Sequence, residues 1–167
     1  MISKEVFRDK IANIIKKIIA TDPFFKHFED FIKAVFIDHG RRFIVFDHSK
    51  AKASATGGFQ YPNKIYIDKV YVEKLIAEYP GIKDALELVL FSILKHELRH
   101  FIQCVVMIEL CNDVKEAEKC WQIQANKTRL DDPLEQDVYQ LEHGQDKTIE
   151  EFYDFIKDLI EDYRKSL

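Results

Sequence analysis

Hydrophobic and polar positions repeat with a helical period through the first forty residues. Ser3 stands where an N-cap is expected, before apolar residues spaced three and four apart. Asp22 followed by Pro23 is typical of a second helix start, and Gly40 is where that helix should end. The second helix is expected to turn inward Phe24, Phe28, Phe31, Ile32 and Val35. The pattern therefore predicts N-terminal helices over residues 1–40.

The pattern changes to that of β-strands after residue 40. Residues 41–47, RRFIVFD, are mostly β-branched and aromatic after the two arginines. Residues 53–68 have the pattern of two strands that meet at Pro62 and Asn63. Together these segments predict a small antiparallel-edged sheet of about three strands, which needs helices to cover it.

Helical periodicity returns after the predicted sheet and continues to the end of the chain. Thr148 and Glu151 have the spacing of a capping box at the start of the last helix, which should turn inward Phe152, Ile156, Ile160 and Tyr163. The helices are predicted at 69–79, 83–111 and 114–127, then from Asp132-Pro133 and from Thr148. We expect an α+β fold in one domain, 1–167, with helices at 1–40, the sheet at 41–68 and a helical part at 69–167.

Composition and charge narrow the classes of function. The 167 residues are 47% hydrophobic, enough for a folded core, and the net charge of −4 without a basic block argues against nucleic acid as a partner. The chain has neither a signal-peptide segment nor an apolar run long enough for a membrane span. Its three cysteines include no C-x-x-C pair, so we expect reduced thiols and a cytoplasmic location.

The candidate chemistry lies in the middle of the longest predicted helix, in the segment LKHELRHFIQC. His96 and His100 are four residues apart and share a helix face, while Glu97 lies about 100° further around. Two imidazoles among apolar neighbours are costly without a partner. In the H-E-x-x-H arrangement two imidazoles bind Zn²⁺ and the glutamate takes a proton from water. The alternative is a pair of core histidines that are satisfied within the protein.

A zinc site of this kind needs a third protein ligand, which we expect downstream. In the segment DDPLEQDVYQLE, Glu135 falls in the first turn of a predicted helix, where it can face inward. The same position suits a capping-box glutamate. Asp137 is the second candidate for the ligand and His143 the third. Two histidines and one carboxylate in a hydrolytic layout, with Glu97 beside them, favour zinc over iron, manganese or nickel.

HELRHFIQ followed by DDPLEQDVY resembles the small zincin metallopeptidases of the gluzincin type. The likeness is greatest to compact domains of bacterial and phage genomes that share an H-E-L-x-H-x-x-Q core. The resemblance covers roughly residues 41–143 and implies a zincin-like fold and hydrolysis of a peptide or protein. It implies that His96, His100 and Glu135 bind zinc and that Glu97 is the general base.

The resemblance also concerns the substrate and the surroundings of the metal. It implies that a peptide adds as a β-strand along residues 54–60. The family often has an aspartate four residues after the glutamate ligand, thought to orient a histidine, but this chain has Tyr139, so Asp137 or Asp132 is expected instead. This departure keeps an alternative open, a non-catalytic zincin-like metal-binding or interaction module.

Two further residues of the long helix have expected partners. Arg99 should form a structural ion pair with an acidic residue near position 131. Gln103, one turn beyond His100, should donate a hydrogen bond to a ligand carboxylate or to the backbone.

Overall fold

The computed structural model describes residues 2–46, 56–128 and 130–167. The helices of these residues are α1 (Lys4–Thr21), α2 (Pro23–His27), α3 (Glu29–Ile32), α4 (Gly40–Phe43), α5 (Lys69–Ala77), α6 (Ala85–Cys111), α7 (Val114–Ala125), α8 (Pro133–Glu142) and α9 (Ile149–Lys165), with a π-helical turn at Lys33–Ile37. The strands are β1 (Ile44–Val45), β2 (Gly57–Gln60) and β3 (Lys64–Ile67). Helices around one small mixed sheet confirm the α+β prediction.

The chain divides into two compact units, Met1–Leu98 and Arg99–Leu167. Helix α6 is one helix that begins in the first unit and ends in the second. The division into one domain over 1–167 stays a prediction. In the described part of the chain, none of the helices is both long and apolar enough to cross a membrane.

The predicted helix starts of the first unit are confirmed by their caps. The Ser3 side chain accepts a hydrogen bond from the Val6 backbone N–H, and Asp22 does the same for Phe24 with Pro23 in the first turn. These bonds satisfy backbone donors that a helix start leaves open. Helix α1 buries the predicted apolar face except for Val6, which is exposed.

The apolar face predicted after Pro23 is partly wrong. The helix is interrupted at Phe28, and a π-helical turn follows, in which the Asp38 N–H donates to the Lys33 carbonyl at 2.9 Å. A π-helical turn holds an extra residue, so it shifts the phase of later side chains. Phe31 follows the interruption at Phe28 and is exposed instead of buried. Within the π-helical turn, Val35 is only half-buried and Phe36 is buried in the core.

The strand predicted at 41–47 is confirmed only at Ile44–Val45. Gly40 begins α4 rather than ending a helix, and residues 41–43 are helical. The cause is local hydrogen bonding, because the His39 carbonyl accepts from the N–H groups of Arg42 at 3.0 Å and Phe43 at 3.2 Å. Of the predicted strands, residue 47 and residues 53–55 lie outside the described residues.

The sheet has the strand order β1-β3-β2, with β1 parallel and β2 antiparallel to β3. Ile44 pairs with Ile65, and Gly57 pairs with Ile67. The turn predicted at Pro62-Asn63 is confirmed, because β2 ends and β3 begins on either side of it. One edge of the sheet is thus parallel, where the prediction had antiparallel edges.

Strand β2 lies close to α6 at Gly57. A Cβ atom at this position would lie 2.7 Å from Ile93 Cγ2 and 3.0 Å from the Tyr66 carbonyl oxygen. Distances this short leave no room for a methyl group. Gly57 therefore allows the sheet to pack on the helix that carries the histidines.

The second unit follows its predicted pattern at the last helix. Thr148 and Glu151 form the capping box, and the residues predicted to face inward are buried, namely Phe152, Ile156, Ile160 and Tyr163. This helix packs on α7. The predicted cap of α8 is present as well, since Asp132 accepts from the Leu134 N–H at 2.9 Å.

The three cysteines are free and buried, all within the second unit. Burial raises the pKa of Cys104 well above its usual value, that of Cys111 to about 12 and that of Cys120 to about 11. The thiols are therefore protonated at neutral pH, and the thiolate is the form that binds metals and acts as a nucleophile. The candidate chemistry rests on other residues.

A buried ion pair joins α6 to α8 in the second unit. Arg99 Nε and Nη2 donate to the two carboxylate oxygens of Asp137, each at 2.8 Å, and both side chains are fully buried. Lys147 Nζ donates to Asp137 at 2.7 Å, and Arg99 Nη1 lies 3.0 Å from Asp146 Oδ1. The four charges balance. Burial alone raises the pKa of Asp137, but its bonds to Arg99, Lys147 and Gln103 outweigh burial and lower it.

We expect Gly57→Ala to destabilise the protein by about 1–3 kcal/mol, because the added methyl group would collide with Ile93 and the Tyr66 carbonyl. The matched control is Gly58→Ala in the same strand, where nothing lies within 4 Å of the added atom. The control should be neutral, or stabilising by less than about 1 kcal/mol. Urea unfolding of the two variants measures the difference, and equal stabilities would contradict close packing at Gly57.

We expect Asp137→Asn to cost about 3–5 kcal/mol of unfolding free energy, because it leaves the buried Arg99 without its carboxylate. The control is Glu87→Gln, which breaks the exposed pair with Lys17 and should cost at most about 1 kcal/mol. Chemical denaturation followed by circular dichroism gives both values. A cost at Asp137 no larger than that at Glu87 would show that the buried pair does not hold α8 on α6.

Candidate metal centre

Helix α6 brings His96, Glu97 and His100 together as neighbours on two successive turns. Each offers a ligand atom, and these atoms all lie within 4.8 Å of one another. The side chains of Glu97 and His100 are 8% and 6% exposed, while that of His96 is 24% exposed. The cluster is thus nearly buried, with one more accessible imidazole. Its members are the residues that the H-E-x-x-H pattern predicts.

Glu135 lies beside His100. Pro133 begins α8, the Asp132 cap fixes its first turn, and the buried Leu134 anchors that turn in the core. The next side chain, Glu135, then places Oε1 2.9 Å from Nε2 of His100 and is 30% exposed. The predicted third ligand and one predicted histidine are therefore in direct contact.

The other two candidates for the third ligand have different partners. Both carboxylate oxygens of Asp137 accept hydrogen bonds, from Arg99, Lys147 and Gln103. His143 is exposed at the end of α8, where its ring stacks on Tyr139 at 3.9 Å between centroids and its Nδ1 lies 2.8 Å from the Tyr139 carbonyl oxygen. Of the three candidates, it is thus Glu135 whose carboxylate contacts the His100 ring.

The partner predicted for Arg99 is of the right kind, because the residue forms an ion pair with nearby acids. These are Asp137 and Asp146, which lie further along the chain than position 131. The guanidinium also lies 4.7 Å from the centroid of the Phe152 ring. Arg99 is therefore structural, as predicted.

Gln103 holds His100 from the same helix. Its Nε2 donates to the Leu134 carbonyl at 3.0 Å and to Asp137 Oδ2 at 2.8 Å, while its Oε1 lies 2.8 Å from Nδ1 of His100. The backbone bond was predicted, but the contact with the histidine was not. The signal was present in the sequence, because residues three apart on a helix are neighbours.

Trp121 of α7 completes the packing around His100. The two rings meet edge to face, with their centroids 6.1 Å apart. Trp121 was not predicted to be part of the site, because no pattern within the sequence shows that α7 packs on α6 at this position. Together, Gln103, Trp121 and Glu135 restrict the imidazole on three sides.

A cleft of about 460 Å³ lies elsewhere, in the first unit. It is lined by residues of α1 and of the segment 36–44, including Arg8, Asp38 and Arg42. None of the predicted site residues lines it. The candidate centre is therefore identified by its donor atoms and not by the volume of a cavity.

The chain has been compared with known protein families, with curated proteins and with solved structures, and no significant match is found in any of the three comparisons.

Proposed function

We propose that the protein is a zinc-dependent peptidase with a zincin-like fold. His96, His100 and Glu135 bind the zinc ion, and Glu97 is the general base in the hydrolysis of a peptide bond. The single observation that carries the proposal is the 2.9 Å contact between His100 Nε2 and Glu135 Oε1, with His96 and Glu97 in the same cluster.

That contact needs a positive charge between its two atoms. Nδ1 of His100 faces the side-chain amide oxygen of Gln103, which can only accept a hydrogen bond. In the neutral ring, Nε2 is therefore the nitrogen that carries the lone pair. A lone pair and a carboxylate oxygen repel each other at 2.9 Å unless a proton or a cation lies between them. A proton on Nε2 satisfies this requirement in the metal-free chain, and a metal ion bound by both groups would take the place of that proton.

The donor set fits zinc. Two imidazole nitrogens and one carboxylate oxygen are the ligands of many catalytic zinc sites, which keep a fourth position open. When bound, zinc lowers the pKa of water and polarises a carbonyl group. The partial exposure of His96 and Glu135 is consistent with access to such a position from solvent.

Glu97 suits the role of the base. Its carboxylate is 8% exposed and has an oxygen 3.9 Å from His96 Nε2, so it lies next to one of the proposed ligands. In the proposed reaction Glu97 takes a proton from the attacking water and gives it to the leaving amine. Because Glu97 is nearly buried and a bound substrate would exclude water from it, its carboxylate can exchange protons directly with the substrate.

The proposed substrate is a peptide that adds along residues 54–60 as a further strand. Within the described strands, β2 is hydrogen-bonded to β3 on one side and forms an edge of the sheet. The backbone of an edge strand can pair with an extended peptide. The three cysteines are free thiols, which supports a reducing compartment, the cytoplasm, as the place of the reaction.

A second candidate function is a non-catalytic module in which the metal ties helices together. The observation that favours it is Tyr139, which stacks on His143 and is 62% exposed, where the resembling family often has an aspartate that orients a histidine. The two candidates share the metal ligands and differ in the role of Glu97.

We expect the purified protein to hold about one equivalent of zinc. His96→Ala, His100→Ala and Glu135→Ala should each weaken zinc binding by more than about 100-fold, because each removes a ligand. The matched control is His143→Ala, which removes an exposed imidazole from the same unit and should keep the zinc. Elemental analysis and a chelator competition measure content and affinity. Retention of zinc by Glu135→Ala, or its loss from His143→Ala, would contradict the ligand set.

We expect Glu97→Gln to keep the fold and the zinc but to lower peptide hydrolysis by about 10²- to 10⁴-fold, because the amide cannot accept the proton. Cleavage of a peptide library, read by mass spectrometry, compares this variant with the wild type at equal zinc content. Glu87→Gln, on the exposed side of the same helix, serves as the control and should cleave normally. If the wild type cleaves and Glu97→Gln cleaves equally well, Glu97 is not the base, and a wild type that cleaves nothing favours the module.

A further inference from the structure

Gln103 is fully buried, and each of its polar groups has a partner in the second unit. The two amide hydrogens point to the Leu134 carbonyl and to Asp137 Oδ2, and the amide oxygen faces Nδ1 of His100. A buried amide with all its partners in place has a single favourable orientation. The side chain therefore links the candidate ligand to the ion pair of Asp137.

The orientation of the Gln103 amide follows from its surroundings. The Leu134 carbonyl and the Asp137 carboxylate can only accept hydrogen bonds, so the NH₂ group must face them. Rotating the amide by half a turn would set its oxygen against these two acceptors and leave buried groups unsatisfied. The amide oxygen is thereby directed at Nδ1 of His100, 2.8 Å away.

An amide oxygen only accepts hydrogen bonds, so Nδ1 of His100 must carry the proton. The other nitrogen, Nε2, then faces Glu135 and is the one left to take either a proton or a metal ion. This is the tautomer that a metal bound through Nε2 requires. The hydrogen bond between His100 and Gln103 is made within α6 and does not involve the metal. It can therefore select this tautomer before a metal binds.

We propose that Gln103 is a positioning residue for the metal centre, which holds His100 in the Nδ1–H form so that Nε2 is ready for the ion. The inference rests on the proposed function for the identity of the ligand, but its structural part concerns the metal-free chain as well. Gln103 takes the place that the family resemblance led us to assign to Asp137 or Asp132. Asp137 acts one step further away, by fixing the Gln103 amide.

The variant that tests the inference is Gln103→Met, which keeps the size of the side chain and removes its hydrogen bonds. With zinc alone as the probe, we expect zinc affinity to fall by about 10- to 100-fold, as is common when the group that orients a histidine ligand is lost. The matched control is Gln124→Met, since Gln124 is also a buried glutamine of the second unit and its Oε1 accepts no hydrogen bond among the described residues. The control should bind zinc like the wild type.

A second measurement needs no variant. In nitrogen-15 NMR spectra of the wild type, Nδ1 of His100 should carry a proton both without metal and with zinc, whether or not Nε2 is also protonated. A bare Nδ1 with a proton on Nε2 would overturn the inference, as would unchanged zinc affinity in Gln103→Met. If Gln103→Met does not fold, the spectra of the wild type still decide the matter. If the wild type binds no zinc, the proposed function fails, while the metal-free spectra report separately on Gln103.

Discussion

Arg99 and Asp137 meet in the interior of the second unit through two parallel hydrogen bonds, with neither side chain exposed to solvent. Removing both charges from water is costly, and Lys147 and Asp146 offset part of that cost. The main contribution of the Arg99–Asp137 pair is to orient α8 relative to α6. Arg99 and His100 are successive residues of α6. Asp137 of α8 contacts Arg99, and Glu135 of α8 contacts His100. Because two side chains of α8 contact two neighbouring side chains of α6, both the rotation of α8 about its axis and its position along α6 are fixed.

The parts of the fold that could be predicted are those set by neighbours in the sequence. Caps such as Ser3 and Thr148 act within three residues, so their patterns are sufficient to find helix starts. The failures have the same explanation in reverse. The break at Phe28 and the π-helical turn at Lys33–Ile37 interrupt the regular helical period, so Phe31 is exposed and Phe36 is buried where Val35 was expected. At residues 41–43, hydrogen bonds to the His39 carbonyl outweigh the strand propensity of the segment.

The candidate site divides in a similar way. His96, Glu97 and His100 could be identified because helical geometry alone brings them together. The sequence indicated an acidic partner for Arg99, but it could not decide between residues some thirty to forty positions away, because that choice depends on the rotation of α8. Gln103 was noticed for its donors, while its acceptor turned out to face His100. Helical spacing makes Gln103 a neighbour of His100, but which end of the amide faces the ring can be decided only when the partners of the NH₂ group are known.

The hydrogen bonds from Arg99 to His100 have a fixed polarity, and it originates in the guanidinium. Arginine can only donate, so Asp137 accepts, Gln103 must donate to Asp137, and His100 must donate to Gln103. A carboxylate in place of Gln103 would orient the ring equally well, but it would add a negative charge beside Glu97 and Glu135. Those two carboxylates already match the charge of a divalent ion. A neutral amide therefore transmits the orienting effect of Asp137 without adding its charge. In this way the chain can orient a histidine although it has Tyr139 where the family that it resembles often has an aspartate.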